Sequence, residues 1–263
     1  MRLGSQRQPK MQVDEENPYW VSFSDIMAGL LVIFMLAAIA LIIELTQKSE
    51  MWDEAIREIA KAEQVRSDLL REIESELNER SIPVRITDND TVLRIPEDVL
   101  TFKQSSFDIP SDKHSREVAL EIGQVLYQSI TKDDRWQYLD TIFIEGHTDK
   151  VPYHNRKIKG NWGLSTFRAI SVWDYWSVAM DKGKRLEDLR NHVGNKLFSV
   201  SGYAESRPVS CSNADPNVDN PELCPEGRIA ERDSLQKNRR IDIRFTVRRP
   251  ALEDYIEVKK VLD

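Results

Sequence analysis

Three groups of residues in this chain are of types that do chemistry. The first is a single carboxylate, Asp25, inside an apolar run from Phe23 to Ile43. A charge in such a run costs about 2.5–3.5 kcal/mol at the centre of a bilayer and less near its surface, so it normally faces a partner or an ion path. A helix-start residue beside Ser22 and Ser24 is the competing reading. The second group comprises Thr148 and Asp149, in the turn GHTD, and Arg168 further on. An acid and a guanidinium across a cleft suit a zwitterionic amino-acid group. The acid takes the ammonium, and the guanidinium forks onto the carboxylate. An ion pair internal to the domain is the alternative. The third group is Cys211 and Cys224, the only two cysteines, in a stretch rich in Pro, Asn, Asp and Ser that reads as a surface loop.

Other chemistries find little support. His147 and His154 flank Asp149, but two histidines separated across a proline make poor ligand geometry, and the two thiols have no histidine nearby to complete a zinc site. No Walker loop, GxSxG elbow or HExxH is present, so neither an enzyme nor a cofactor is expected. A net charge of −7 argues against a nucleic-acid partner.

The elements that must hold these groups follow from periodicity. A spanning helix needs about 20 apolar residues, which the run 23–43 supplies. Arg2, Arg7 and Lys10 precede it, whereas only Lys48 lies just beyond, which puts the N-terminus in the cytoplasm. Ala38-Ile39-Ala40 resembles a cleavage site, but Leu41, Ile42 and Ile43 continue the run past it, so an uncleaved anchor is expected. Asp25, Gly29, Val32, Leu36 and Ala40 form one stripe, and a small residue there lets another helix approach closely. The remaining chain then lies in an oxidising compartment. There Cys211 and Cys224 are free to pair, stabilising the loop by about 3 kcal/mol.

Residues 44–80 read as a helical linker. Trp52, Ile56, Ile59, Leu70, Ile73 and Leu77 form a heptad-like seam that either pairs with a copy of itself or lies on the folded domain or the membrane surface. After Pro83 the period shortens. Strands are expected at 84–86, 92–95, 141–145, 197–200 and 240–247, with a further strand-like piece in VLTFKQSSFDIP. Helices are expected at 111–129, 164–180 and 186–193. The organisation is a cytoplasmic tail (1–22), a transmembrane helix (23–43), a linker (44–80) and a β/α domain (81–263), an α+β chain with helices on one face of a mixed sheet.

Four blocks, IEGHTDKVP, NWGLSTFRAISV, SGYAESRPV and NRRIDI, resemble the OmpA-like peptidoglycan-binding domain from about Pro83 to Val247. The form GHTD-x-VP followed by NW-x-LS-x-x-RA is most similar to the MotB type found in flagellar stators. That resemblance implies that Asp149 and Arg168 bind the diaminopimelate of a peptide stem, with Asn161 and Leu164 lining the same pocket beside Thr148.

The tail is shorter than in MotB-type chains, and the Thr-Ala pair usual after their Asp is missing. The segment PYWVSFSDIMAGLLVIF is more similar to the ZorB-type subunits of Zorya anti-phage defence systems. This implies an inner-membrane protein with a periplasmic C-terminal domain, a homodimer inside a pentameric MotA/ExbB-like (ZorA-type) partner. Protons, or alternatively sodium ions, would pass Asp25. A flagellar stator subunit and a passive wall anchor are the two other classes the sequence leaves open.

Overall fold

The computed structural model describes residues 18–103, 105–209 and 231–249. The chain divides into two compact units, Met1–Ala55 and Ile56–Asp263.

In the first unit the described residues belong to helix α1, which spans Pro18–Glu79. The run from Phe23 to Ile43 contains neither proline nor a buried side chain, and it is long and apolar enough to cross a membrane. Apolar residues on all sides of a helix require apolar surroundings on all sides.

The second unit contains the remainder of α1 and a five-stranded sheet. The strands are β1 (Arg85–Thr87), β2 (Val92–Pro96), β3 (Leu139–His147), β4 (Phe198–Gly202) and β5 (Arg240–Val247), in the order β1-β2-β5-β3-β4. Only β3 and β4 are parallel, so the sheet is mixed. Between strands lie α2 (Lys113–Thr131), α3 (Gly160–Ala179) and α4 (Glu231–Asn238). Helix α2 starts where the Asp112 carboxylate accepts the Ser115 amide at 2.8 Å. Its Gly123 faces Trp176 of α3, whose indole donates to the Ala119 carbonyl at 2.7 Å.

Alternation sorts the sheet into two faces. Leu93, Ile95, Ile142, Ile144, Ile241 and Ile243 enter the hydrophobic core with α2 and α3. The opposite face carries charge, yet Glu145, His147, Arg240 and Asp242 on it are buried and Arg94 and Arg244 half-buried. Arg94 forks onto Asp242 at 3.0 and 3.1 Å, Arg240 Nε reaches Asp242 at 2.8 Å, and Arg244 Nε reaches Glu145 at 2.9 Å. His147 stacks on Tyr203, and Arg207 also lies over the Tyr203 ring.

The linker seam divides. Leu70, Ile73 and Leu77 join Leu69 in the domain's own core, while Trp52, Ile56 and Ile59 are exposed. Polar contacts hold this part of α1 in place. Arg66 Nε donates to the Asp90 carbonyl at 3.0 Å, and Ser67 and Arg71 both donate to the Asp90 carboxylate. Asp88, Asn89 and Asp90 all have φ of 54°, a left-handed turn that short polar side chains tolerate best.

Two expected elements differ. Residues 186–193 form only a 3₁₀ turn, Leu186–Asp188, because the Asn191 side chain accepts the amides of Val193 and Asn195 and so displaces helical bonding. The piece after Pro96 is a turn, with the amides of Val99 and Leu100 bending back to the Pro96 carbonyl.

Candidate functional site

The charges expected to recognise a ligand collect at one end of the three central strands. Arg240 is the register partner of both Pro96 on β2 and His147 on β3. One step along the core-facing side, Arg239 therefore lies between Glu97 and Thr148. Its Nε and Nη2 donate to Glu97 at 2.6 and 2.7 Å, and its Nη1 donates to Asp149 Oδ2 at 2.6 Å. The other Asp149 oxygen accepts the Val151 amide at 2.9 Å, which shapes the turn after β3. The Glu97 hydrogen bond raises the Arg239 pKa above the ordinary value, against the effect of burial and with help from Asp149.

Helix α3 brings Arg168 to the same cluster. Its close approach depends on Gly146 of β3, where any Cβ would collide with the Ser165 carbonyl. Arg168 is buried, lies over the Phe102 ring and donates Nε to the Ser106 carbonyl at 3.1 Å. Its terminal nitrogens have no hydrogen-bond partner among the described residues. Burial lowers its pKa, opposed by the negative charges of Glu97 and Asp149.

Asp149 and Arg168 thus share one cluster but are not hydrogen-bonded to each other. Asn161 stands beside Asp149, with its Nδ2 3.4 Å from the Asp149 carbonyl. Its Oδ1 accepts the Tyr153 amide, and its Nδ2 donates to the Val151 carbonyl and to Glu205, so it braces the loop that carries Asp149. Leu164 is buried one turn before Arg168. Thr148 donates its amide to Ala204 at 2.9 Å, and its buried hydroxyl has no partner among the described residues.

His147 projects to the charged face of the sheet, whereas His154 is exposed. Among the described residues no group of three or more His, Cys, Asp or Glu is placed to hold a metal. Asp25 is exposed on α1, one turn before Gly29, where an added Cβ would meet nothing within 4 Å. Cys211 and Cys224 lie outside the described residues. The sequence reading missed Glu97 and Arg239. Their signal was positional, an acid just after one strand and a base just before its neighbour, and it becomes visible only once β2 and β5 are paired.

Residues 101–219 match the OmpA family. The matched segment of this OmpA-like domain includes Thr148, Asp149, Asn161, Leu164 and Arg168, whereas Glu97 and Arg239 fall on either side of it. No curated protein matches the chain. Among solved structures, a MotB-like protein from Desulfovibrio vulgaris is 17% identical, with 72% of this chain and 99% of that chain covered at a TM-score of 0.47. The cell wall anchor of the T6SS from Pseudomonas aeruginosa is 19% identical, covering 68% and 97%, with a TM-score of 0.41. The periplasmic domain of Helicobacter pylori MotB is 17% identical, covering 64% and 80%, also at 0.41.

Proposed function

We propose that this chain is the membrane-anchored subunit of an ion-driven rotary motor, held to peptidoglycan by its OmpA-like domain. One observation carries this reading. The chain joins a helix of spanning length with a lone carboxylate, Asp25, to a domain whose sheet end gathers Asp149 and Arg168 into one charge cluster. Diaminopimelate in a peptide stem presents an ammonium and a carboxylate on one carbon, which are the two charges such a cluster can take. The domain then acts as a binding module rather than an enzyme. A fixed subunit lets ions that load and leave Asp25 turn a surrounding ring. The membrane potential supplies about 2.3 kcal/mol per charge per 100 mV.

In the full reading two copies stand in a pentameric MotA/ExbB-like ring in the inner membrane. The N-termini are cytoplasmic, protons rather than sodium ions pass Asp25, and rotation serves anti-phage defence. The defence role rests on the similarity of the membrane segment to Zorya subunits. Asp25→Asn is nearly isosteric but cannot alternate between charged and neutral forms. It should abolish phage protection while leaving membrane insertion and partner assembly intact. Full protection at normal protein levels would reduce the chain to a passive anchor. Restoration of swimming in a stator-deficient cell, without any phage protection, would make it a flagellar subunit.

A further inference from the structure

We infer that Glu97 is a second ammonium-binding carboxylate of the candidate site, and that Arg239 is the positioning residue that holds Glu97 and Asp149 side by side. This rests on the peptidoglycan-binding reading above. A single guanidinium, Arg239, serves two carboxylates, so this end of the cluster keeps one uncompensated negative charge. At the other end Arg168 is a cation with no carboxylate bonded to it among the described residues. The four charges are neutral in sum, but Arg168 meets the surplus negative charge of Glu97 and Asp149 only through space, with no hydrogen bond to either carboxylate among the described residues. That pattern fits a ligand with an ammonium and a carboxylate, and it disfavours a simple anion or cation.

The count of hydrogen bonds points the same way. An ammonium brings three donors. Each Asp149 oxygen already accepts one bond, from Val151 or from Arg239, and each Glu97 oxygen accepts one from Arg239. Asp149 alone leaves two acceptor positions, fewer than an ammonium needs, whereas the pair leaves four. Neither side chain is sealed off, with 15% of Glu97 and 11% of Asp149 exposed. The rival role for Glu97 is purely structural, as a brace for Arg239.

The test uses the full-length chain in detergent micelles and a soluble stem tripeptide ending in meso-diaminopimelate. A second form of the tripeptide has its side-chain amine acetylated, and affinities are read by calorimetry. Acetylation should weaken wild-type binding at least tenfold. Glu97→Gln should weaken the native tripeptide about tenfold and shrink the acetylation penalty to about two- to threefold. Glu97→Asp, which keeps the charge, should recover part of both effects. A Glu97→Gln variant that keeps wild-type affinity, or that binds more weakly with the full acetylation penalty, would overturn the proposal. Wild-type protein that fails to bind the tripeptide would remove the peptidoglycan reading itself, and this inference with it.

Discussion

Asp149 is bonded to Arg239 at 2.6 Å, and Arg168, the guanidinium that the sequence offered as its counterpart, is bonded to the carbonyl of Ser106. An internal Asp149–Arg168 ion pair was the plain alternative to a ligand site. In this arrangement the two residues are free to differ in what they contribute to stability and to binding.

Arg168→Gln should therefore weaken binding of the full-length chain to purified sacculi by ten- to a hundredfold, about 1.5–3 kcal/mol, with a small change in Tm. Asp149→Ala should lower both binding and Tm, because Arg239 loses one of its two carboxylates. The double variant should bind little worse than the weaker single one, since both act on one ligand group. Sacculus pull-down and thermal melting on the same preparations provide the check. Undiminished pull-down by folded Arg168→Gln would take that residue out of the site.

His147 gives the domain an acid-sensitive element. Burial, reinforced by Arg240, pushes its pKa from 6.5 to about 3, and nearby Asp242 only partly opposes this. As pH falls below 6.5 the unfolded chain takes up a proton that the folded chain refuses, so stability declines from about 6.5 toward 3. Glu145, Asp242, Arg94, Arg207 and Arg240 also surround the ring. Urea midpoints between pH 6.5 and 5 should thus fall less steeply for His147→Gln than for the wild type. Equal slopes would mean the imidazole takes up its proton normally.

Gly146→Ala should destabilise the domain by about 1–3 kcal/mol, because its Cβ would meet the Ser165 backbone and push α3 away from β3. Arg168 rides on α3, so sacculus binding should drop as well, even in conditions where the variant remains folded. An unchanged urea midpoint would contradict the close packing at this position.

Cys211 and Cys224 should be oxidised if the C-terminal domain faces the periplasm. Alkylation of the purified chain without reductant should label neither thiol. Quantitative labelling of both would count against the bridge or the topology.

Part of the sheet was legible because β5 alternates so cleanly that RIDIRFTV marks a strand residue by residue, and TIFIE of β3 is a short apolar run of the kind a buried strand shows. Helix α4 was not, since its sequence ERDSLQKN has a single apolar residue and hence no period to detect. The linker seam stayed open to more than one reading for a different reason. Leu70, Ile73 and Leu77 satisfy a heptad and an intramolecular core equally well, and only the nearby sheet decides between them. The site was half legible. Thr148, Asp149 and Arg168 stand in local motifs, but Glu97 and Arg239 are 142 positions apart and meet only through strand pairing.

The Asp88–Asp90 turn has a mechanical meaning. Asp90, just ahead of β2, is gripped by Arg66, Ser67 and Arg71 of α1, while Glu97, just past the other end of β2, is gripped by Arg239. The five residues of β2 thus serve as a tie-rod between the linker helix and the charge cluster. A pull on this part of α1 is passed through Asp90 to β2, whose five residues are paired in register with β5. Tension arriving from the helix would reach Glu97 through the single turn at Asp90 and then β2.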